Sequence, residues 1–186
     1  KEIKKFMRTW KNDIKIHNDY IDEDNINDVL KKFSFENAVD FFSIDIDGID
    51  YWVLKKLKPK MAKIFVLEYN PFFGLKKNIC APNIKKFERF NHHYTGFCWG
   101  ASLHAYIELM KDKGFTFIGT NRLNCNAFFI LDELVDKISL KIPDQSDLSK
   151  YVKSNIKIFK NSNGKLVNLN ELNEEIKNVE VYDLFK

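Results

Sequence analysis

Two apolar stretches lie in the middle of the sequence, and each ends in a group of polar side chains. The first covers residues 39–47 and stops before Gly48, and the second covers residues 63–70 and stops before Pro71. Short runs rich in β-branched and aromatic residues, bounded by Gly or Pro, are typical of buried strands. Because strands buried on both faces occur mainly in parallel sheets, these two stretches predict a sheet of the α/β class.

Stretches with helical spacing alternate with these strands. In residues 22–33, Ile26, Val29 and Leu30 recur at helical intervals behind Asp24, a residue type that caps helix N-termini. Such alternation predicts an α/β fold with a mostly parallel sheet and an antiparallel last strand pair. The predicted helices are residues 1–11, 22–33, 50–58 and 101–113, the last ending at Gly114, and the predicted strands are residues 13–20, 39–47, 63–70, 115–119 and 126–131.

Two parts of the chain lack a regular period. Residues 71–99 form a long irregular stretch, and a connection of this length inside a compact domain is usually functional. Residues 145–186 are more polar and contain a turn at 161–164 flanked by alternating apolar residues, which predicts a hairpin and a short helix. We therefore assign residues 1–144 to an α/β domain and residues 145–186 to an extension packed on that domain.

Composition excludes several classes of function. The net charge is +4, but only Arg8, Arg89 and Arg122 are arginines, and the scarcity of this residue argues against reading of nucleic-acid bases. No run of eighteen apolar residues is present, so we expect no membrane span. The three cysteines are far apart and form no CxxC pair, which favours free thiols and a cytoplasmic location.

Polar side chains at the two strand ends are the strongest candidates for chemistry. Alternation places Asp45 and Asp47 on one face of the first strand, and Glu68 and Asn70 share a face of the second. The carboxyl ends of strands in open α/β sheets are where ligands bind. We therefore predict that Asp47, Glu68 and Asn70 converge on one crevice.

Structural explanations of the same residues remain open. An Asp before Gly often braces a turn, Asp50 is most simply the N-cap of its helix, and Asp45 is a candidate partner for backbone amides of a nearby loop. His92 and His93, in the irregular stretch, are either general-base candidates or a solvated pair. A zinc site is a further alternative, formed by Cys80, His92, His93 and Cys98.

Residues 43–52, with the sequence SIDIDGIDYW, and residues 64–70, IFVLEYN, resemble the signature of FkbM-like methyltransferases that use S-adenosylmethionine (SAM). Further similar stretches are GASL at 100–103, NAFFI at 126–130 and the chain end from residue 163. The resemblance covers nearly the whole chain and implies a Rossmann-like methyltransferase sheet. The family's glycine-rich first motif, which binds SAM, would precede Lys1, so we expect the sheet to be incomplete at its N-terminal side.

The resemblance implies methyl transfer from SAM to a hydroxyl of a sugar or of a bacterial surface-glycan precursor. Related metal-dependent O-methyltransferases carry acidic and Asn side chains at these strand ends, which implies Asp47, Glu68 and Asn70 as ligands of Mg²⁺. On this basis we predict Asp47, His92 and His93 as catalytic residues. The predicted substrate-binding residues are Asp45, Tyr51, Trp52, Tyr69, Trp99 and Ser102.

Other interpretations of the resemblance also stand. The chain is alternatively a non-catalytic methyltransferase-like domain that serves assembly or binds glycans, and association with further copies of itself is left open. A nucleic-acid or amino methyltransferase is disfavoured, because the turn at residues 68–73 only loosely resembles the DPPY-type turn of such enzymes.

Overall fold

The computed structural model describes residues 14–35, 37–75, 77–153, 159–172 and 174–185. In these residues the main sheet has four strands in the order β1-β2-β5-β4. The predicted α/β class is confirmed at this level. The strands of this sheet are β1 (Val39–Ile44), β2 (Ala62–Glu68), β4 (Phe115–Thr120) and β5 (Asn126–Leu131).

Short elements complete the described fold. The helices are α1 (Ile26–Lys32), α2 (Asp50–Lys56), α3 (Arg89–His92) and α4 (Leu103–Asp112). Two small sheets pair β3 (Ile79–Cys80) with β8 (Tyr182–Asp183), and β6 (Phe159–Lys160) with β7 (Leu166–Val167). In the described ranges, none of the helices has the length and apolarity needed to cross a membrane.

Strand direction in the main sheet follows from its pairings. β1 and β2 are parallel, with Ile44 opposite Leu67, whereas β5 is antiparallel to both β2 and β4. Strands β1, β2 and β4 therefore run in one direction, and the last strand runs against them. The expectation of a mostly parallel sheet holds for strand direction but not for pairing, because insertion of β5 between β2 and β4 leaves a single parallel pair.

One face of the sheet packs in a continuous core with helices α2 and α4. Ile44, Phe65 and Leu67 are buried together with Leu54 of α2 and Tyr106 of α4. Helix α4 begins where the Ser102 Oγ accepts a hydrogen bond from the Ala105 amide, 3.2 Å away. It ends before Gly114, whose φ of +84° suits a residue without Cβ.

The opposite face of the sheet is more open. Phe41, on that face of β1, is 57% exposed, and the described residues pair β1 with a neighbour on one edge only. β1 is therefore an outer strand, and its carboxyl end is accessible from the side.

Two local predictions were wrong, and a third cannot be compared with the structure. Residues 14–20 are not a strand, because no described strand offers a ladder partner, although Ile14 and Ile16 alternate with polar residues. The N-cap position of α1 is occupied by Asn25 rather than Asp24, and the Asn25 side chain makes no cap hydrogen bond. The Asp22 carboxylate accepts the amides of Asp24 and Asn25 at the start of this helix. The predicted helix 1–11 and Asp13 lie outside the described residues.

The C-terminal extension contains the predicted hairpin. Strands β6 and β7 are antiparallel, and Asn161 closes the turn by accepting the amides of Asn163 and Lys165. Phe159 and Val167 form a small second core with Trp99, which attaches the hairpin to the irregular stretch 71–99.

Candidate functional site

The turn after β1 is held by a buried carboxylate. Asp50 is 1% exposed, and its two carboxylate oxygens accept the amides of Ile46 and Gly48 at 2.9 Å. Burial raises the pKa of Asp50 to about 6, although these amide bonds oppose the rise. The predicted N-cap role of Asp50 is wrong, because Ile49 occupies the N-cap position of α2 and the Asp50 carboxylate instead binds amides of the turn that carries Asp47. The amide-binding role considered for Asp45 thus belongs to Asp50.

The same turn brings the irregular stretch close to the sheet. Asp47 adopts φ +55°, a left-handed conformation that Asp tolerates better than most residues. A Cβ at Gly48 would lie 2.7 Å from the ring of Phe87, so only glycine lets this ring pack against the turn. The Gly48 carbonyl also accepts the Gly100 amide at 2.7 Å, which joins the far end of the irregular stretch to the turn.

A cavity of about 460 Å³ opens beside this turn, at the carboxyl end of β1. Its walls come from three segments that are distant in sequence. They are the 19–21 segment, the strand-end turn and the 86–90 part of the irregular stretch, and they contribute Asp19, Tyr20, Ile21, Ile46, Asp47, Ile49, Lys86, Phe87, Glu88, Arg89 and Phe90. The lining combines apolar side chains with a few charged groups, which is the usual composition of a small-molecule site.

Arg89 links this cavity to the sheet. Its Nη1 donates to the Asp47 Oδ1 at 2.9 Å, and its Nε and Nη2 donate to the Gly96 carbonyl. The guanidinium also lies 4.0 Å from the centre of the Trp99 ring, a cation–π contact. The Arg89 side chain is only 12% exposed, but the Asp47 side chain is 63% exposed, so solvent screens this ion pair and its contribution to stability is small.

Glu68 is the least satisfied carboxyl of the site. Strand register sets Glu68 beside Asp45, one step beyond the Ile44–Leu67 pair. Its Oε2 is buried and accepts no hydrogen bond from the residues that the structure describes. Burial, and then the negative charges of Asp45 and Asp47, raise the pKa of Glu68 to about 8, while Arg89 opposes this rise. Burial and then Asp47 also raise the pKa of Asp45.

Asn70 does not join this group of carboxylates. Its Oδ1 accepts the Phe72 amide at 3.0 Å, and its Nδ2 donates to the Phe97 carbonyl at 2.9 Å. The fully buried amide therefore braces the irregular stretch against the end of β2. These contacts do not fit the predicted role of Asn70 as a metal ligand.

The remaining donors do not fit Mg²⁺ either. Asp47 is already paired with the Arg89 guanidinium, a cation that belongs to the protein itself. Within the described ranges, no three His, Cys, Asp or Glu side chains are grouped so that they could hold a metal ion. The same finding disfavours the zinc alternative, and Cys80 and Cys98 are both buried free thiols.

The two histidines of the irregular stretch are not part of the cavity lining, although the His92 ring packs against the lining residue Phe87. The Nε2 of His92 is 3.0 Å from the Glu180 carbonyl, and the Nδ1 of His93 is 2.7 Å from the Thr95 hydroxyl. Burial, and then the neighbouring His92, lower the pKa of His93. Both rings stabilise the irregular stretch and its contact with the C-terminal segment, a position that does not support their prediction as general bases.

Most of the aromatic residues and the serine that we predicted to bind substrate are instead part of the protein core. The Tyr69 hydroxyl donates to the Tyr151 carbonyl, the Trp52 Nε1 donates to the Ala81 carbonyl, and Ser102 caps α4. Tyr51 is 8% exposed within the main core, and burial raises its pKa to about 12. Trp99 touches the site indirectly, because its ring supports the Arg89 guanidinium.

Sequence reasoning missed most of the cavity wall. Tyr20, Lys86, Glu88 and Arg89 were not candidates, and the Arg89–Asp47 pair joins positions 42 residues apart. One signal was available for Arg89, since it is one of three arginines in a lysine-rich chain and stands in the irregular stretch.

Comparison of the chain with protein-family models, curated proteins and solved structures finds no match.

Proposed function

We propose that this chain forms the acceptor-side part of a SAM-dependent O-methyltransferase similar to the FkbM-like family, with the acceptor bound in the cavity beside Asp47. The observation that carries the proposal is the sheet itself. The two strands that bear the signature residues are parallel neighbours, and the last strand runs against the other three. This is the arrangement expected from a Rossmann-like methyltransferase sheet.

The position of the cavity supports an enzymatic role. It opens at the carboxyl end of β1, where open α/β sheets bind ligands, and Asp47 lies in its wall. The exposed rings of Tyr20 and Phe90 and the carboxylates of Asp47 and Glu88 suit a polyhydroxylated acceptor, because rings contact its C–H faces and carboxylates accept its hydroxyl protons.

Asp47 and Glu68 have different proposed roles in the transfer of the acceptor's proton. In methyl transfer the acceptor oxygen bonds to the methyl carbon as the carbon–sulfur bond breaks, and the hydroxyl proton must leave. Asp47 is the carboxylate in the cavity wall that can meet the hydroxyl. Glu68, whose pKa is raised to about 8, is the neighbouring group able to hold a proton at neutral pH.

SAM supplies an electrophilic methyl group when it is bound. The sequence given has its first glycine at position 48, so a glycine-rich turn that could bind the methionine part is not among residues 1–47. We therefore propose that the residues that bind the cofactor belong to a segment of the protein that precedes Lys1. Residues 1–186 contribute the acceptor cavity and the carboxylates.

Calorimetric titration with S-adenosylhomocysteine tests this division. The natural full-length protein is expected to bind it with micromolar affinity, and residues 1–186 alone should give no heat beyond dilution. Binding of the ligand by residues 1–186 alone would show that the cofactor site is within this chain.

Turnover of the full-length protein tests the role of Asp47. Asp47→Asn is expected to lower methyl transfer about a hundredfold or more, the usual effect of losing a group that handles protons, with little change in stability. Asp136→Asn is the matched control, because Asp136 is exposed and lies in the segment that follows β5. An Asp47→Asn variant that unfolds more readily but keeps its specific activity would make the cluster structural and favour the non-catalytic alternative.

A further inference from the structure

Lysines gather at the end of the sheet opposite the candidate site. Helices α1 and α2 end there and strands β1 and β2 begin there, side by side, since Val39 pairs with Ala62. Residues 31–40 and 55–63, which form these connections, include seven lysines and two acidic residues. A concentration of one charge sign on one edge creates a field that extends into the solvent.

We use the name basic edge for five exposed lysines and one exposed aromatic residue of these connections. Lys31, Lys58 and Phe35 line a single depression of about 180 Å³ together with Leu30 and Met61, and its other lining residues are Asn27 and one acidic residue, Asp28. The depression therefore joins the two connections in space. The members of the basic edge are Lys31, Lys32, Phe35, Lys58, Lys60 and Lys63.

The backbone holds Phe35 firmly in its exposed position. Ser34 follows α1 with φ +63°, and the amides of Ser34 and Phe35 donate to the carbonyls of Lys31 and Leu30, both at 2.9 Å. This is the Schellman arrangement that ends many helices. The Phe35 ring nevertheless remains 45% exposed, so an apolar group stands at the centre of the lysines.

Contacts within the protein do not account for this surface. Lys60 pairs with Glu133 and Lys63 with Asp40, but all four side chains are at least 60% exposed, and exposed pairs of this kind are weak. In the ranges the structure describes, no carboxylate lies within 4.0 Å of the Lys31, Lys32 or Lys58 ammonium. The negative end of the α1 helix dipole favours lysines at positions 31 and 32, but this interaction explains neither Lys58 nor the exposed ring of Phe35.

A buried lysine adds to the charge of this edge. Lys113 is 9% exposed, and its ammonium donates to the carbonyls of Lys55 and Leu57 at the end of α2. Its partners are carbonyl oxygens, so its charge is not cancelled by a carboxylate.

We propose that the basic edge binds the surface of an anionic lipid bilayer, with Phe35 inserted at the level of the headgroups. Lysines act as point charges on a diffuse anionic surface, whereas recognition of bases or paired phosphate oxygens favours arginine. None of the residues in the two connections is an arginine. An exposed aromatic ring among lysines also matches the composition of interfacial membrane contacts.

The position of the basic edge sets the orientation of the bound protein. Its lysines lie where β1 and β2 begin, whereas the cavity opens at the carboxyl end of β1. The cavity beside Asp47 therefore faces away from the bilayer and stays open to solution.

Sedimentation with vesicles tests the proposal on the full chain. The protein is expected to sediment with phosphatidylcholine vesicles that contain about one third phosphatidylglycerol, not with pure phosphatidylcholine, and to be released by roughly 0.5 M salt. Replacing Lys31, Lys32 and Lys58 by Gln should weaken this binding about a hundredfold, since each lysine near such a surface contributes roughly fivefold. Replacing Lys150, Lys153 and Lys165 by Gln removes the same charge elsewhere and is the matched control.

Two further measurements separate the alternatives. Phe35→Trp should show a blue-shifted emission with anionic vesicles beyond any shift of the unchanged protein, and Phe35→Ala should weaken binding several-fold. Equal binding to neutral and anionic vesicles, or equal losses in the two triple variants, would overturn the proposal. Tight binding to duplex DNA without vesicle binding would instead assign the edge to nucleic acid. All substituted side chains are exposed, so melting curves should be unchanged in every variant.

Discussion

The unsatisfied carboxyl of Glu68 makes a quantitative prediction about stability. In the unfolded chain this group has its ordinary pKa of 4.5, whereas burial beside Asp45 and Asp47 raises the pKa to about 8 in the folded protein. The folded state thus binds the proton more tightly. Stability is highest below about pH 4.5, falls as pH rises through the folded pKa of about 8, and levels off above it.

The size of the decline follows from the size of the shift. Each pKa unit corresponds to 1.36 kcal/mol, so the interval from about pH 5 to pH 9 should remove roughly 4 kcal/mol of unfolding free energy through Glu68. Glu68→Gln keeps the shape of the side chain but cannot ionise. The variant should therefore lack this decline and be more stable than the unchanged protein at about pH 9, by roughly 2–4 kcal/mol, with little difference at about pH 5.

Urea unfolding at several pH values measures the difference directly. Titrating groups that are distant from Glu68 contribute equally to both proteins, so their effects cancel in the comparison. Glu108→Gln, at an exposed position of α4, is the control and should follow the unchanged protein at every pH. Parallel stability curves for the Glu68→Gln variant and the unchanged protein would refute the reasoning, because Glu68 would then have the same pKa in both states.

Two other buried groups give predictions of opposite sign. Asp50→Ala leaves the amides of Ile46 and Gly48 without their acceptor and should lower the unfolding free energy, measured in urea, by about 2–4 kcal/mol. Asp50→Asn should lower it by less. Equal losses of unfolding free energy in the two variants would mean that the amide bonds are not the cause. Tyr106→Phe removes a fully buried hydroxyl that has no hydrogen-bond partner and should change stability by less than about 1 kcal/mol or raise it. Tyr69→Phe, which removes a hydroxyl bonded to the Tyr151 carbonyl, should instead lose about 1–2 kcal/mol, and a Tyr106→Phe variant that loses as much would contradict this account.

Local pattern determined the main elements of this protein. The apolar runs around Phe42 and Phe65 became β1 and β2, and the periods around Tyr106 and Phe129 became α4 and β5. β2 and β5 are mostly buried, and β1 and α4 each bury one face, so hydrophobic periodicity, Gly114 and Pro59 were sufficient to find these elements. The parallel neighbourhood of β1 and β2, expected from the strand–helix–strand order, is also present.

Pairing and side-chain partners were decided by the tertiary structure. Residues 14–20 alternate like a strand but have no described neighbour to complete a ladder, and alternation alone cannot supply one. Asn and His are residue types common in active sites, but the side chains of Asn70 and His92 are hydrogen-bonded to backbone carbonyls of distant segments. The residue type limits which partners a side chain can bind, and the tertiary structure determines which of these partners lies next to it.

The candidate site shows the same division. Alternation and strand ends correctly put Asp47 and Glu68 at the carboxyl edge of the sheet, because these depend on the local chain. The guanidinium that neutralises Asp47, the burial of the Glu68 carboxyl and the cavity beside Asp47 arise when the irregular stretch folds back over the sheet. Desolvation is a property of the assembled structure, so the charges and pKa values of this site could not be read from the sequence alone.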